Sequence, residues 1–265
     1  MKKYSTVHPL FMSFYSKSLY QDVGKNWKKI SYLYLVLLLA VCMIPITFKI
    51  NSAVSDYVLR EAPKIVNQAP VITISKGQVS ADVQMPYIIK DPDNNKAIVI
   101  IDTTGKVDSL KDSGAVALLT KTKLILKRSN TESRALELNG IDNLVINQAK
   151  VYDWIESLLE YFPFVLYPFL LLVSFLFRLF QAVVYSLVGI YYARYLKAPL
   201  KFSSLISLAI ISMTPSIMFD TLYNYLDITV PFWWLINFFI ALAYLFFAIR
   251  SNSERGNSGA EPIKS

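Results

Sequence analysis

The sequence predicts a membrane α-helical bundle with a small β-rich domain of the α+β type inserted between its first two helices. Of the 265 residues, 54% are hydrophobic and only 17% are charged, whereas soluble chains average about 25% charged residues. The hydrophobic residues are concentrated in four runs of about the length that crosses a bilayer. Between the first and second runs, about 110 residues contain 13 Lys and Arg and 14 Asp and Glu, which is the composition of a soluble domain.

The first predicted transmembrane helix covers residues 31–50. Its run from Ser31 to Phe48 contains no charged residue, and its large aliphatic and Phe side chains contribute about −3 to −6 kcal/mol to insertion. A cleaved signal peptide is the alternative, but about 30 residues precede the run, which is long for the basic region of such a peptide. Residues 1–30 are predicted to form a basic amphipathic segment, either on the inner membrane surface or packed against the helices.

Residues 51–161 are predicted to form the β-rich domain. A helical extension of the first transmembrane helix is expected from Ser52 to Asn67, with Pro63 and Pro70 as the residues that end it. A final helix, capped by Asp142 and including Leu144 and Ile146, is expected to lead into the second transmembrane helix. Between them, short apolar runs separated by turn residues predict antiparallel strands. These runs are Val71–Ser75, Gln78–Val83, Pro86–Lys90, Ala97–Asp102, Ala115–Thr120, Lys123–Lys127 and Arg134–Leu138.

One predicted strand of this domain ends in Asp102, followed by Thr-Thr-Gly. Phosphoryl-transfer enzymes place a nucleophilic Asp at such a strand end, but their usual second Asp, two residues later, is Thr104 here. A strand followed by a tight turn explains the string better. Cys42 and His8 are the only Cys and His, which excludes an intrachain disulfide and zinc sites built from these residues. We therefore expect no enzymatic activity, no cofactor and no metal site.

The remaining transmembrane helices are predicted at residues 162–193, 202–226 and 230–249. The first of these could also be a hairpin of two short helices, but its centre lacks turn residues, which favours one long helix. Pro215 is expected to kink the third helix because it has no N–H to donate. Residues 250–265 are rich in Ser, Gly and Asn and are predicted to form a disordered cytoplasmic tail.

The distribution of basic residues predicts the orientation. Twelve of them lie in the N-terminal segment, the loop between the second and third helices, and the tail, whereas the loop between the third and fourth helices has none. By the positive-inside rule, both termini are cytoplasmic and residues 51–161 lie outside the cytoplasm. The net charge of +8 is then a topology signal, so the expected partner is the lipid bilayer and not nucleic acid.

Two ionisable residues lie inside predicted transmembrane helices, Arg178 and Asp220. Such residues are candidates for function, and both fall in the outer half of their helices, within reach of each other. Gln181, Asn224 and Asn237 could join them by hydrogen bonds. The pair has two interpretations, a polar pocket or ion path and a structural contact that fixes helix packing, and the second is favoured.

The layout as a whole, the string Asp102-Thr103-Thr104-Gly105 and the run from Thr214 to Asp220 resemble the bacterial integral membrane family known as domain of unknown function 1189. The resemblance extends over roughly residues 10–250. Some members are labelled maltodextrin-utilisation membrane proteins. The resemblance implies a location in the bacterial cytoplasmic (inner) membrane, and it implies no activity or site residues.

Three classes of function remain. The favoured hypothesis is a non-enzymatic adaptor or sensor whose extracytoplasmic domain binds another membrane or envelope protein. The alternative is an accessory subunit or small permease in the uptake of solutes such as sugars, with a polar site at Arg178 and Asp220. A membrane-embedded enzyme using Asp102 is the least favoured class, because His and Cys are almost absent.

Overall fold

The computed structural model describes residues 3–111, 113–129 and 132–257. The chain divides into two compact units. Asn51–Phe162 forms one of them, called here the β unit. The described residues before and after it form the other, called the helical unit. Both boundaries between the units fall inside helices.

The helical unit begins with two short helices, α1 (Pro9–Met12) and α2 (Lys17–Asn26). The hydroxyl of Ser16 caps α2 by accepting a hydrogen bond from the backbone N–H of Leu19. The apolar face of α2 packs against the helices of residues 202–212 and 233–257, so Leu19, Tyr20 and Val23 are at most 1% exposed. The apolar side chains of α2 are therefore covered by protein, whereas Phe11 and Tyr15 of the same predicted amphipathic segment are 71% and 69% exposed.

Asp22 ties the N-terminus to α2. Its carboxylate accepts hydrogen bonds from the backbone N–H of Lys3 (3.1 Å), from Nδ2 of Asn26 (2.7 Å) and from Nε1 of Trp27 (2.8 Å). Burial opposes ionisation of this carboxyl group, but the hydrogen bonds outweigh that effect and hold the pKa of Asp22 below its usual value. A charged group inside the unit is thus stabilised by local donors.

Two very long helices contain the boundaries between the units. Helix α3 spans Ile30–Val66 and α4 spans Gln148–Tyr195, which corresponds to about 55 Å and about 72 Å of helix. Because α4 is continuous, the hairpin alternative for its apolar part is wrong. The predicted helical extension over Ser52–Asn67 corresponds to the last part of α3, which ends at Val66, three residues after Pro63.

Three further helices complete the helical unit: α5 (Phe202–Ser212), α6 (Thr214–Tyr225) and α7 (Trp233–Asn257). The break between α5 and α6 falls at Met213, two residues before Pro215, whose nitrogen cannot donate to a carbonyl one turn earlier. Polar side chains join α3 to α5 and α6, through Ser31 and Ser207 (2.9 Å) and through Tyr34 and Thr214 (2.9 Å).

The predicted disorder of residues 250–265 is wrong for its first part, because α7 continues to Asn257. Contacts with α2 explain the extra turns. Nδ2 of Asn252 donates to the carbonyl of Tyr20 (3.1 Å), and Nε2 of Gln21 donates to the carbonyl of Ser251 (2.8 Å). Residues 258–265, the rest of the predicted tail, lie outside the described residues.

Four stretches are long and apolar enough to cross a membrane. They are the helices α3 and α4, the combined α5 and α6 (Phe202–Tyr225), and the first 21 residues of α7 (Trp233–Ser253). This conclusion rests on length and composition alone. Together with the strands of the β unit, it confirms the predicted combination of apolar helices and β-sheet.

The β unit contains a three-stranded sheet in the order β2-β1-β8 and a five-stranded sheet in the order β3-β4-β5-β6-β7. All neighbouring strands are antiparallel except β4 and β5, which are parallel, so the prediction of a purely antiparallel domain is wrong at this pair. The strands are β1 (Ile72–Ser75), β2 (Gln78–Ala81), β3 (Tyr87–Lys90), β4 (Ala97–Asp102), β5 (Ala117–Thr120), β6 (Lys123–Lys127), β7 (Ser133–Glu137) and β8 (Asn143–Ile146).

Strand β8 stands where the sequence predicted the start of a helix capped by Asp142. Leu144 and Ile146 pair with β1, with Ile146 opposite Ile72, and the helix α4 begins only at Gln148. The error has a physical cause, because apolar residues two positions apart fit one face of a strand as well as part of a helical stripe.

Two clusters of buried apolar residues stabilise the β unit. Ile100 and Ile101 are neighbours in β4, and they belong to different clusters because successive strand residues point to opposite faces. The cluster around Ile101 includes residues of β1 and β2. The cluster around Ile100 includes Leu110 and Ala115 from the connection between β4 and β5, which therefore covers the second face of the sheet.

Candidate functional site

Arg178 of α4 and Asp220 of α6, the two ionisable residues predicted inside the membrane, form an ion pair. Nη2 of Arg178 lies 2.8 Å from Oδ2 of Asp220, and Nη1 donates to Oε1 of Gln181 (2.8 Å). The side chains are only 12% and 29% exposed. The contact therefore links two helices through charges that are largely removed from solvent, and such charges require a partner.

Asp220 has a further donor that sequence reasoning did not identify. Nε1 of Trp233, in the first turn of α7, donates to Oδ1 of Asp220 (3.1 Å), and the indole stacks on Tyr223 with ring centroids 4.4 Å apart. The position of Trp233 at the end of an apolar run predicted only an interfacial aromatic residue. The carboxylate thus connects three helices, α4, α6 and α7.

The other polar residues expected to join this pair behave differently from one another. Nδ2 of Asn224 donates to the backbone carbonyl of Asp220 (2.7 Å), one helical turn earlier, and makes a longer hydrogen bond to Oδ1 of its carboxylate (3.4 Å). Asn237 is 8% exposed, and its Oδ1 has no hydrogen-bond partner among the described residues. The same is true of Nε of Arg178. Asn237 therefore does not join the ion pair by a hydrogen bond among the described residues, and the pair itself retains one buried donor, Nε of Arg178.

A second ion pair lies at the end of α6. The ammonium group of Lys49, in α3, contacts both the carboxylate of Asp227 and the backbone carbonyl of Asn224. The side chain of Asp227 is 80% exposed, so this pair lies in a much more exposed environment than Arg178 and Asp220. Arg178 and Lys49 thus each have a carboxylate partner, Asp220 in α6 and Asp227 just after it.

A cavity of about 470 Å³ lies between α3 and α6. Phe219 and Thr221, the sequence neighbours of Asp220, belong to its wall. Its wall includes Cys42, Thr221 and Phe14 and is almost entirely apolar. Such a volume can hold an apolar group, whereas a hydrated ion would find few polar partners. No group of three potential metal-ligating side chains occurs among the described residues.

Asp102, the catalytic alternative of the sequence, is used by its own loop. The buried carboxylate accepts hydrogen bonds from the backbone N–H and the hydroxyl of Thr104 (2.9 and 2.5 Å) and from the backbone N–H of Val107 (2.6 Å). Burial opposes ionisation, but these donors outweigh it and hold the pKa of Asp102 below its usual value. The arrangement is that of a turn stabilised by an Asp side chain.

Comparison with known proteins identifies one family. The family model described as "Protein of unknown function (DUF1189)" matches residues 7–249. No curated protein and no solved structure matches the chain. Since the family model covers far more than half of the sequence, including both the ion pair and the Asp102 loop, the chain belongs to the DUF1189 family.

Proposed function

We propose that this protein is a non-enzymatic adaptor or sensor of the bacterial inner membrane. In this proposal four helices cross the membrane, both termini are cytoplasmic, and the β unit lies outside the cytoplasm, where it binds another membrane or envelope protein. The basic residues of the N-terminal segment, of the loop between α4 and α5, and of the C-terminal region support this orientation through the positive-inside rule.

One observation supports a sensing role above all. The helices α3 and α4 each run without a break from the helical unit into the β unit. Their ends in the β unit are joined, because Nε2 of Gln148 donates to the carbonyl of Asn67 (3.1 Å) and the adjoining strands β1 and β8 pair. A partner that displaces these strands would therefore act directly on two membrane-spanning helices.

The strand β7 is the surface of the β unit best suited to a protein partner. It is one of the two edge strands of the five-stranded sheet, and all five of its residues are exposed. Leu136 of β7 and Leu126 of β6 are both 38% exposed on this edge. Edge strands bind other chains by adding a strand, and exposed apolar side chains beside the edge give such binding specificity.

Reporter fusions test the orientation. Alkaline phosphatase, which is active only outside the cytoplasm, and a fluorescent protein that matures in the cytoplasm are inserted at Lys106 and fused after Asn257. We expect phosphatase activity only at Lys106 and fluorescence only at the C-terminal position. Phosphatase activity at the C-terminal position would contradict the four-helix topology and with it the proposal.

Site-specific photocrosslinking in cells tests the partner surface. A photoreactive amino acid at Leu136 is expected to give one discrete crosslinked product with another envelope protein. The matched control is Val116, an equally apolar and more exposed residue (54%) of the same unit that does not belong to β7. The same product at both positions, or none at Leu136, would refute β7 as the binding edge.

A small permease is the second candidate, and two observations favour it. Nε of Arg178 has no hydrogen-bond partner among the described residues, and the cavity between α3 and α6 includes Thr221, the sequence neighbour of Asp220, in its wall. In a chain with Cys42→Ala, a single cysteine at Thr221 is exposed to a membrane-impermeant maleimide. A water-accessible transport path predicts labelling that a transported solute reduces. The adaptor proposal predicts no labelling.

A further inference from the structure

A cleft of about 410 Å³ lies between the C-terminal end of α4 and the start of α5. Apolar side chains from both helices, including Ile190, Phe202 and Leu205, line it, and the cations Arg194 and Lys197 stand at its wall. Both cations are exposed. The cleft therefore combines an apolar interior with two positive charges, at the end of one candidate membrane span and the beginning of the next.

The two cations differ from Arg178 and Lys49 of the same helical unit. Arg178 and Lys49 each have a carboxylate partner. In contrast, no ion pair to Arg194 or Lys197 occurs in the part of the chain that the structure describes. Their charge is available to a ligand.

The backbone at the end of α4 fixes the position of Lys197. Helix α4 ends in a Schellman motif, in which the N–H of Ala198 donates to the carbonyl of Ala193 (2.9 Å) and the N–H of Lys197 to the carbonyl of Arg194 (3.2 Å). Lys197 takes the left-handed conformation of this motif, with φ of 51°, which glycine adopts most readily. The chain thus accepts local strain at a position that keeps an ammonium group beside the cleft.

We propose that this cleft binds an anionic phospholipid, with the headgroup phosphate at Arg194 and Lys197 and an acyl chain against the apolar wall. Free phosphate would gain nothing from the apolar side chains, and a zwitterionic lipid would gain less from the two cations. Basic pockets between membrane helices on the cytoplasmic side recognise anionic headgroups in this way. The proposal uses the membrane orientation proposed above and is independent of any partner of the β unit.

The test uses the full chain purified in mild detergent and measures retained lipid by native mass spectrometry. Phosphatidylglycerol and phosphatidylcholine with identical acyl chains are added in separate arms, and inorganic phosphate is added as a competitor in a third. We expect at least tenfold greater retention of phosphatidylglycerol, with no displacement by millimolar phosphate. Equal retention of both lipids, or full displacement by phosphate, would overturn the proposal.

Two variants separate lipid binding from folding. Lys197→Gly removes the ammonium while suiting the left-handed backbone, so we expect an unchanged or higher melting temperature and at least threefold weaker retention of phosphatidylglycerol. Adding Arg194→Gln should raise the loss to tenfold or more. The matched control is Lys201→Gln, an exposed residue of the same loop that does not line the cleft. An equal loss in the control would show a non-specific charge effect and refute the site.

Discussion

Replacing Asp220 by Asn removes the negative charge from the ion pair with Arg178 while keeping the size of the side chain. The guanidinium group, 12% exposed, would then lack its counter-charge. Removing one partner of a fully buried pair costs about 3–5 kcal/mol. Because Asp220 is 29% exposed, we expect about 2–3 kcal/mol, which lowers the equilibrium constant for folding by roughly 30- to 150-fold.

The double variant Arg178→Met with Asp220→Leu distinguishes an ion pair from two independent residues. Replacement of both charges by apolar side chains of similar volume avoids the unpaired charge, and we expect a stability within about 1 kcal/mol of the natural chain. The free energies of unfolding are measured by titration with sodium dodecyl sulfate in mixed micelles. The single variants Arg178→Met and Asp220→Leu are measured in the same way. If the double variant loses as much stability as these two single variants together, the pairing argument is refuted.

A matched control is available in the same helical unit. Asp227→Asn removes the carboxylate that contacts Lys49, but that side chain is 80% exposed. An exposed ion pair contributes less than about 1 kcal/mol. We therefore expect a loss several times smaller than for Asp220→Asn, and equal losses would show that burial does not determine the effect.

Three further predictions concern other parts of the chain. Asp22→Ala removes the acceptor of four donors and should destabilise the helical unit by about 2–3 kcal/mol in the same titration. Because the pKa of Asp102 is lower in the folded chain, its ionised form stabilises the β unit at neutral pH. That contribution is lost as the pH falls below about 4, so Asp102→Asn should weaken the pH dependence of hydrogen exchange in β4. Finally, Gly77→Ala should cost more than Gly105→Ala. Both glycines have positive φ, but only at Gly77 would a Cβ lie 3.0 Å from backbone, at Cα of Asn139.

Properties of short, continuous segments account for what the sequence could predict. The apolar runs of α3, α4 and α7 exceed the length of a bilayer span, and the strand of β4 is bounded by turn residues on both sides, so each is specified locally. The contact between Arg178 and Asp220 could be predicted because the rise per residue places both side chains at a similar depth along their two helices. These features needed no knowledge of distant contacts.

Features that depend on distant contacts could not be predicted. Strand β8 forms because β1, about 70 residues earlier, offers an edge to Leu144 and Ile146. The last turns of α7 are stabilised by α2, through contacts such as that between Asn252 and Tyr20. The hydrogen bond from Trp233 to Asp220 also crosses between helices. In each case local propensity is weak, and the tertiary partner decides the structure.

The pairing of β1 with β8 affects when the β unit can fold during synthesis and whether this unit can be removed from the chain. The last strand of the β unit pairs with its first, so during synthesis the three-stranded sheet cannot close until nearly the whole unit has left the ribosome. The same pairing brings the end of α3 and the start of α4 together, as in a domain inserted into a helical hairpin. A short loop in place of residues 69–146 should therefore join α3 to α4 without stretching either helix. Such a shortened chain would show whether the helical unit can exist without the β unit.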